Sequence, residues 1–310
     1  MIQPIAHRLS IRLLLLLALA VLLAACGPPE PPGTDEYVER MAEEHADDKP
    51  VVGALPSDTS QASLAVTEAS VTFPSADGTP VAAFLAQPEN PAVPAPGVIV
   101  IHEWWGLNDN IRDMARALAK QGYAALAVDL YAGQVADAPD AARALMQGAM
   151  EQAETLRAHL RGANTYLRDT LGAPTVGSIG WCFGGAWSLD TAIALGGDLD
   201  AAVIYYGRVE TDEARLATIE APILGHFGSV DQGIPLEQVR AFEAAMNKLG
   251  KNAAVRIYEG ANHAFANPSG TMHDPAAAEQ AWQLTTTFFA DHLLTSASDQ
   301  APSTDPSGGT

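Results

Sequence analysis

Only two cysteines, Cys26 and Cys182, occur in the 310 residues. No disulfide framework can therefore hold the chain together, and each thiol has to be read in its own context. Cations are scarce too: 17 lysines and arginines stand against 37 acids, a net charge of −20. A surface of that sign repels nucleic acid and anionic headgroups, so a nucleic-acid partner and charge-driven membrane binding are both excluded. No dinucleotide-type or phosphate-cradling glycine pattern is present, so no cofactor is expected. Apart from His263, discussed below, and His7 near the N-terminus, the histidines stand at 45, 102, 159, 226, 273 and 292. None is spaced as a metal ligand, so no metal site is expected. No internal repeat is apparent.

One long apolar run exists. Residues 13–25 read "LLLLLALAVLLAA", behind Arg8 and Arg12 and with no acid before them. The run is shorter than the roughly 20 residues a spanning helix needs, so it reads as the core of a secretory leader. It ends in "LAAC", residues 23–26, which resembles a bacterial lipobox. The expectation is a leader over 1–25 and a diacylated Cys26, anchoring the chain in the bacterial cell envelope, facing the periplasm and on the outer rather than the inner membrane. More than one acyl chain is what stable anchoring requires. Residues 26–61 are rich in proline and acid and are expected to form a disordered tether, and 296–310 a disordered tail. The span 62–295 is long enough for one domain with a sizeable core.

Within that span strands and helices alternate. A hairpin over 69–88 turns at Asp77-Gly78, and strands are predicted over 97–106, 123–131, 175–180, 201–207, 221–228 and 253–260. Helices are predicted over 108–122, 184–195, 235–250 and 275–294. A longer helical stretch from about 140 to 169 is expected to break near Gly148 or Gly162. Alternation of this kind implies an α/β fold, a mostly parallel sheet with helices on both faces, whose ligand site lies at the carboxyl ends of the strands.

"GSIGWCFGGAW" puts Cys182 at such a strand end, flanked two residues either side by Gly180 and Gly184. A nucleophile on a tight strand-to-helix turn needs that spacing, because side chains at the flanking positions collide with neighbouring backbone. A buried, inert thiol in a turn is the alternative. A thiol nucleophile requires a base and an acid to orient it, and "ILGHFGSVDQGIP" and "VRIYEGANHAFANP" each leave a predicted strand carrying Asp231 and His263. The order nucleophile, acid, histidine is that of α/β-hydrolases. His263 then accepts the thiol proton and Asp231 fixes its tautomer.

Four motifs, "HEWWGLNDNIRD", "VDLYAGQ", "GWCFGGAWS" and "YEGANHAFAN", resemble the dienelactone hydrolase family of α/β-hydrolases, the carboxymethylenebutenolidase-like proteins. The resemblance implies hydrolysis of an ester or lactone through a cysteinyl acyl-enzyme. It adds Glu103 as a residue that restrains the resting thiol and takes its proton when substrate binds. It also places the oxyanion at the backbone N–H groups of Trp104 and Phe183. Two arginines that bind the substrate carboxylate in that family are replaced here by Gly133 and Asn267, so dienelactone itself is not the expected substrate. Trp105, Tyr131, Tyr206 and Phe265, with Trp104, suggest an aromatic-rimmed pocket for neutral esters, lactones or thioesters, although each is equally consistent with core packing. A non-catalytic envelope protein binding a small apolar ligand or a partner is the alternative function.

Overall fold

A computed structural model describes residues 34–48, 50, 64–91, 93–268 and 270–294. Eight strands form one sheet: β1 (Val66–Pro74), β2 (Pro80–Pro88), β3 (Gly97–Ile101), β4 (Ala124–Val128), β5 (Val176–Trp181), β6 (Ala201–Tyr205), β7 (Ile223–Gly228) and β8 (Ala253–Tyr258). Their spatial order is β1-β2-β4-β3-β5-β6-β7-β8. The opening hairpin pairs antiparallel, β2 meets β4 antiparallel, and every later pairing is parallel. Every residue of β3, β4, β5, β6 and β7 is buried. Strands covered on both faces have no polar side to present, hence their unbroken apolar character.

The tether expected over 26–61 needs correction. Residues Thr34–Glu44 form a helix, α1, and turns continue it to Asp48. Tyr37, Val38 and Met41 share one face and are buried to 2% exposure or less, and His45 and Asp48 are buried behind them. Composition misled here: three apolar residues at helical spacing are few, but a ready-made groove needs only one stripe. The leader, Cys26 and the tail after 294 lie outside the described residues. Among the described residues no helix is long and apolar enough to cross a membrane.

The remaining helices carry the crossovers, except the last, which follows β8. They are α2 (Asp109–Lys120), α3 (Pro139–Met150), α4 (Ala153–Thr165), α5 (Phe183–Leu195), α6 (Glu213–Leu216), α7 (Leu236–Lys248) and α8 (Pro275–Phe289). Asn108 caps α2 by accepting from the Ile111 N–H, and Ile111, Met114, Ala115 and Leu118 form its buried stripe. The expected break in the 140–169 region falls at residues 151 and 152, just after Gly148. Gly162 lies inside α4 instead, because a Cβ there would strike the backbone at Pro74 and Ser75. The strand predicted over 97–106 ends at Ile101, which frees His102, Glu103 and Trp104 to turn over the sheet edge.

Candidate active site

β5 runs straight into α5 through Cys182, whose backbone is held at φ 54° and ψ −117°. That is a costly conformation for a residue with a Cβ, and it persists only where the surroundings enforce it. The enforcement is visible. The Cys182 N–H donates to the Tyr205 carbonyl on β6 at 3.0 Å, and its own carbonyl accepts from the Ala186 N–H at 3.2 Å. A Cβ on Gly180 would overlap the Gly184 carbonyl, and one on Gly184 would overlap the Ile101 carbonyl on β3. Glycine at both positions is therefore a steric requirement of the turn.

His263 leaves β8 on a loop and Asp231 leaves β7. Nδ1 of His263 donates to Asp231 Oδ2 at 2.8 Å, while Asp231 Oδ1 accepts the Ile234 N–H at 2.7 Å. With both carboxylate oxygens engaged, the acid is fixed and the imidazole carries its proton on Nδ1. Among the described residues Nε2 of His263 has no nitrogen or oxygen partner, and the Cys182 thiol is the group it can hydrogen-bond. A ring nitrogen of His263 and the Cys182 sulfur lie within 4.8 Å of one another. Burial alone lowers the basicity of this imidazole, but Asp231 and Cys182 outweigh it and hold the pKa of His263 well above the ordinary value. The three residues named from sequence are thus brought together.

Glu103 is buried beside them. Burial raises its carboxyl to about 7, against the opposing pull of a hydrogen bond from Asn267 and the charge of His263. Asn267 Nδ2 donates to Glu103 Oε2 at 2.8 Å. Glu103 is therefore held by Asn267 and makes no hydrogen bond to Cys182 among the described residues. A neutral amide supports the carboxylate less than a guanidinium does, which leaves the burial penalty largely uncompensated. Behind it, His102 Nδ1 donates to the Glu103 carbonyl at 2.6 Å and His102 Nε2 accepts the Leu130 N–H at 3.2 Å. Burial lowers His102 to about 4, so it is a neutral strut fixing the Glu103–Trp104 turn.

The N–H groups of Trp104 and Phe183 donate to no backbone carbonyl among the described residues, and no side chain caps the start of α5. An uncapped helix start beside the thiol suits a developing oxyanion. Tyr206 packs on His263 with ring centroids 5.1 Å apart, and Tyr131 packs on Phe183 at 5.5 Å. Neither hydroxyl has a hydrogen-bond partner among the described residues. Phe265 touches Tyr206 at 5.2 Å and Trp105 touches Trp104 at 5.0 Å, so these two stand one layer further out.

Sequence reasoning missed the contribution of α1. His45 lies edge-on to His263 at 5.1 Å and against Trp104 at 5.3 Å. Its Nδ1 donates to Asp48 at 2.6 Å, and Asp48 accepts from the Thr271 hydroxyl at 2.6 Å. Arg208 lies over the Tyr37 ring at 5.5 Å. With α1 in place, Cys182 is only 2% exposed. A cavity of about 140 Å³ opens next door, lined by Tyr37, Phe183, Trp187 and Arg208 but not by Cys182. The only sequence signal for α1 was the spacing of Tyr37, Met41 and His45, four residues apart each time.

Residues 81–293 match the model of the dienelactone hydrolase family. Protein usf of Aquifex pyrophilus is 33% identical over 205 residues, covering 64% of this chain and 89% of that one. A protein of Saccharolobus solfataricus, provisionally named a carboxymethylenebutenolidase, is 31% identical over 257 residues, covering 70% and 96%. Among solved structures, a dienelactone hydrolase-type protein of Klebsiella pneumoniae superposes with TM-score 0.67 at 27% identity, covering 74% of this chain and all of that one. A dienelactone hydrolase-like promiscuous phosphotriesterase from metagenomic libraries gives 0.67 at 25%, covering 74% and 99%. With this sheet order and this match, the chain belongs to the dienelactone hydrolase family of α/β-hydrolases and is a hydrolase of the ester and lactone type, acting on a small molecule.

Proposed function

We propose that Cys182 is the nucleophile and that the substrate is a neutral ester or lactone. The observation that carries this is the meeting of Asp231, His263 and the strained Cys182 at the carboxyl ends of β7, β8 and β5. His263 Nε2 takes the Sγ proton and the thiolate attacks the carbonyl carbon. The negative oxygen is held by the N–H groups of Trp104 and Phe183. Collapse breaks the C–O bond, and imidazolium returns the proton to the leaving alkoxide. Water, deprotonated by His263, then attacks the thioester, releasing the carboxylic acid and restoring the thiol.

The preference for an uncharged substrate rests on what surrounds Cys182. Position 267 offers an amide already engaged with Glu103, position 133 offers no side chain, and Arg208 is turned onto Tyr37. Tyrosine hydroxyls at 131 and 206 are neutral donors without partners among the described residues. Because α1 covers the thiol, substrate entry requires α1 to move aside. The test is hydrolysis of p-nitrophenyl esters of rising chain length, and of dienelactone, by the chain and by Cys182→Ala. Neutral esters are expected to be preferred. A preference for dienelactone contradicts the specificity, and activity retained in the variant contradicts the nucleophile. A diacylated Cys26 holding this domain in the bacterial envelope is part of the same proposal, supported by the leader pattern.

A further inference from the structure

Two histidine–carboxylate pairs converge on one thiol. The first is His263 with Asp231, joined at 2.8 Å; the second is His45 with Asp48, joined at 2.6 Å. In each pair Nδ1 is committed to the carboxylate; among the described residues Nε2 of His45 is buried without a hydrogen-bond partner, and Nε2 of His263 has only the Cys182 thiol. His45 is 3% exposed, His263 0% and Cys182 2%. A nitrogen of each ring and the Cys182 sulfur all lie within 4.8 Å of one another.

An unpartnered buried imidazole nitrogen is costly, and the hydrolytic reaction has no use for the one on His45. Nδ1 held by a carboxylate, with Nε2 presented inward, is the arrangement that orients an imidazole for a metal ion. Two imidazoles and one thiolate form a donor set for a borderline-soft divalent cation, with one position left for water. We propose that His45, His263 and Cys182 bind one zinc ion, and that the ion fastens α1 over the nucleophile. With Zn–N bonds of about 2.0 Å and a Zn–S bond of about 2.3 Å, the three atoms need to draw in by about 1 Å at most. Binding replaces the Sγ–H bond by an Sγ–Zn bond and releases that proton to the buffer, and both imidazoles contribute lone pairs. The zinc form has no free thiolate, so it is a closed form of the protein.

The acidic side chain Glu44, near Asp231 and His263, adds negative charge at the rim that favours a cation. Arg208, one of the nearby cations, lies over the Tyr37 ring.

The experiment uses the full chain, purified in detergent and stripped with a chelator. Zinc alone is titrated in competition with a chromophoric chelator, and cobalt alone is added to a second sample. The proposal expects one zinc per chain with a dissociation constant below about 1 μM, and a thiolate-to-cobalt charge-transfer band with the intense visible bands of a tetrahedral ion. His45→Gln should weaken zinc by at least about 100-fold and Asp48→Asn by about 10-fold. His45→Cys supplies another ligand from the same position and should restore binding, which a purely structural role for His45 would not. Absent stoichiometric zinc, an affinity unchanged in His45→Gln, or cobalt bound without the thiolate band each overturns the proposal. None of these readouts depends on ester hydrolysis, so failure here leaves the hydrolase reading standing, and failure of that reading leaves this one.

Discussion

Replacing Glu103 by glutamine converts the burial of one carboxyl into a measurable pH dependence of stability. Glutamine keeps the shape and can still accept from Asn267, but it cannot ionise. Burial moves the carboxyl from 4.5 to about 7 in the folded chain. Every tenfold weakening of an acid corresponds to about 1.4 kcal/mol, so the ionised side chain costs the fold about 3 kcal/mol. The sign follows from proton counting. Between the unfolded pKa and about 7 the folded state holds the proton that the unfolded state has lost, so wild-type stability falls as pH rises through that window. Below it the two chains should be equally stable, and at pH 8 Glu103→Gln should be more stable by about 3 kcal/mol, a urea midpoint about 1 M higher. Urea unfolding at several pH values reads this directly. A difference that does not change between pH 4 and pH 8 would refute the buried, unsupported carboxyl. The same variant tests function: alkylation of Cys182 should lose a pH step near 7 if Glu103 acts on the thiol.

Two further outcomes follow from α1 and the leader. Met41 is fully buried and sits where a Cβ on Gly233 would be, so Met41→Asp should release α1 and speed alkylation of Cys182 by at least about tenfold, the factor corresponding to 1.4 kcal/mol of lost closure. An unchanged rate means that α1 does not guard the thiol. Cys26→Ser should move the chain from the membrane fraction to the soluble fraction of cells, and continued sedimentation with membranes would contradict the lipid anchor.

The parts of the site that could be read in sequence are those written locally. Gly180 and Gly184 mark the turn around Cys182 because their role is steric and set by neighbours in the chain. Asp231 follows the buried strand β7 and His263 follows the half-buried edge strand β8, and parallel pairing of β7 and β8 brings such positions side by side. The sheet was legible for the same reason, since strands covered on both faces are unbroken apolar runs. Contacts between distant segments were not legible. Asn267 could be named as a departure from the family pattern, but that its amide holds Glu103 depends on how the β3 and β8 loops meet. Tyr37, Met41 and His45 were hidden by an acidic, proline-rich surrounding whose composition argues for disorder. Their burial comes from a groove made by other elements, and His45 gains its meaning only beside His263.

Passage of the acyl group through Cys182 underlies the whole proposed reaction. It can be caught by quenching hydrolysis of a slowly turned-over p-nitrophenyl ester and weighing the peptide that contains Cys182. The expected result is the mass of the substrate's acyl group on that peptide, and neither adduct nor turnover in Cys182→Ala. Ester hydrolysis that persists in Cys182→Ala, or an acyl adduct on another residue, would contradict it.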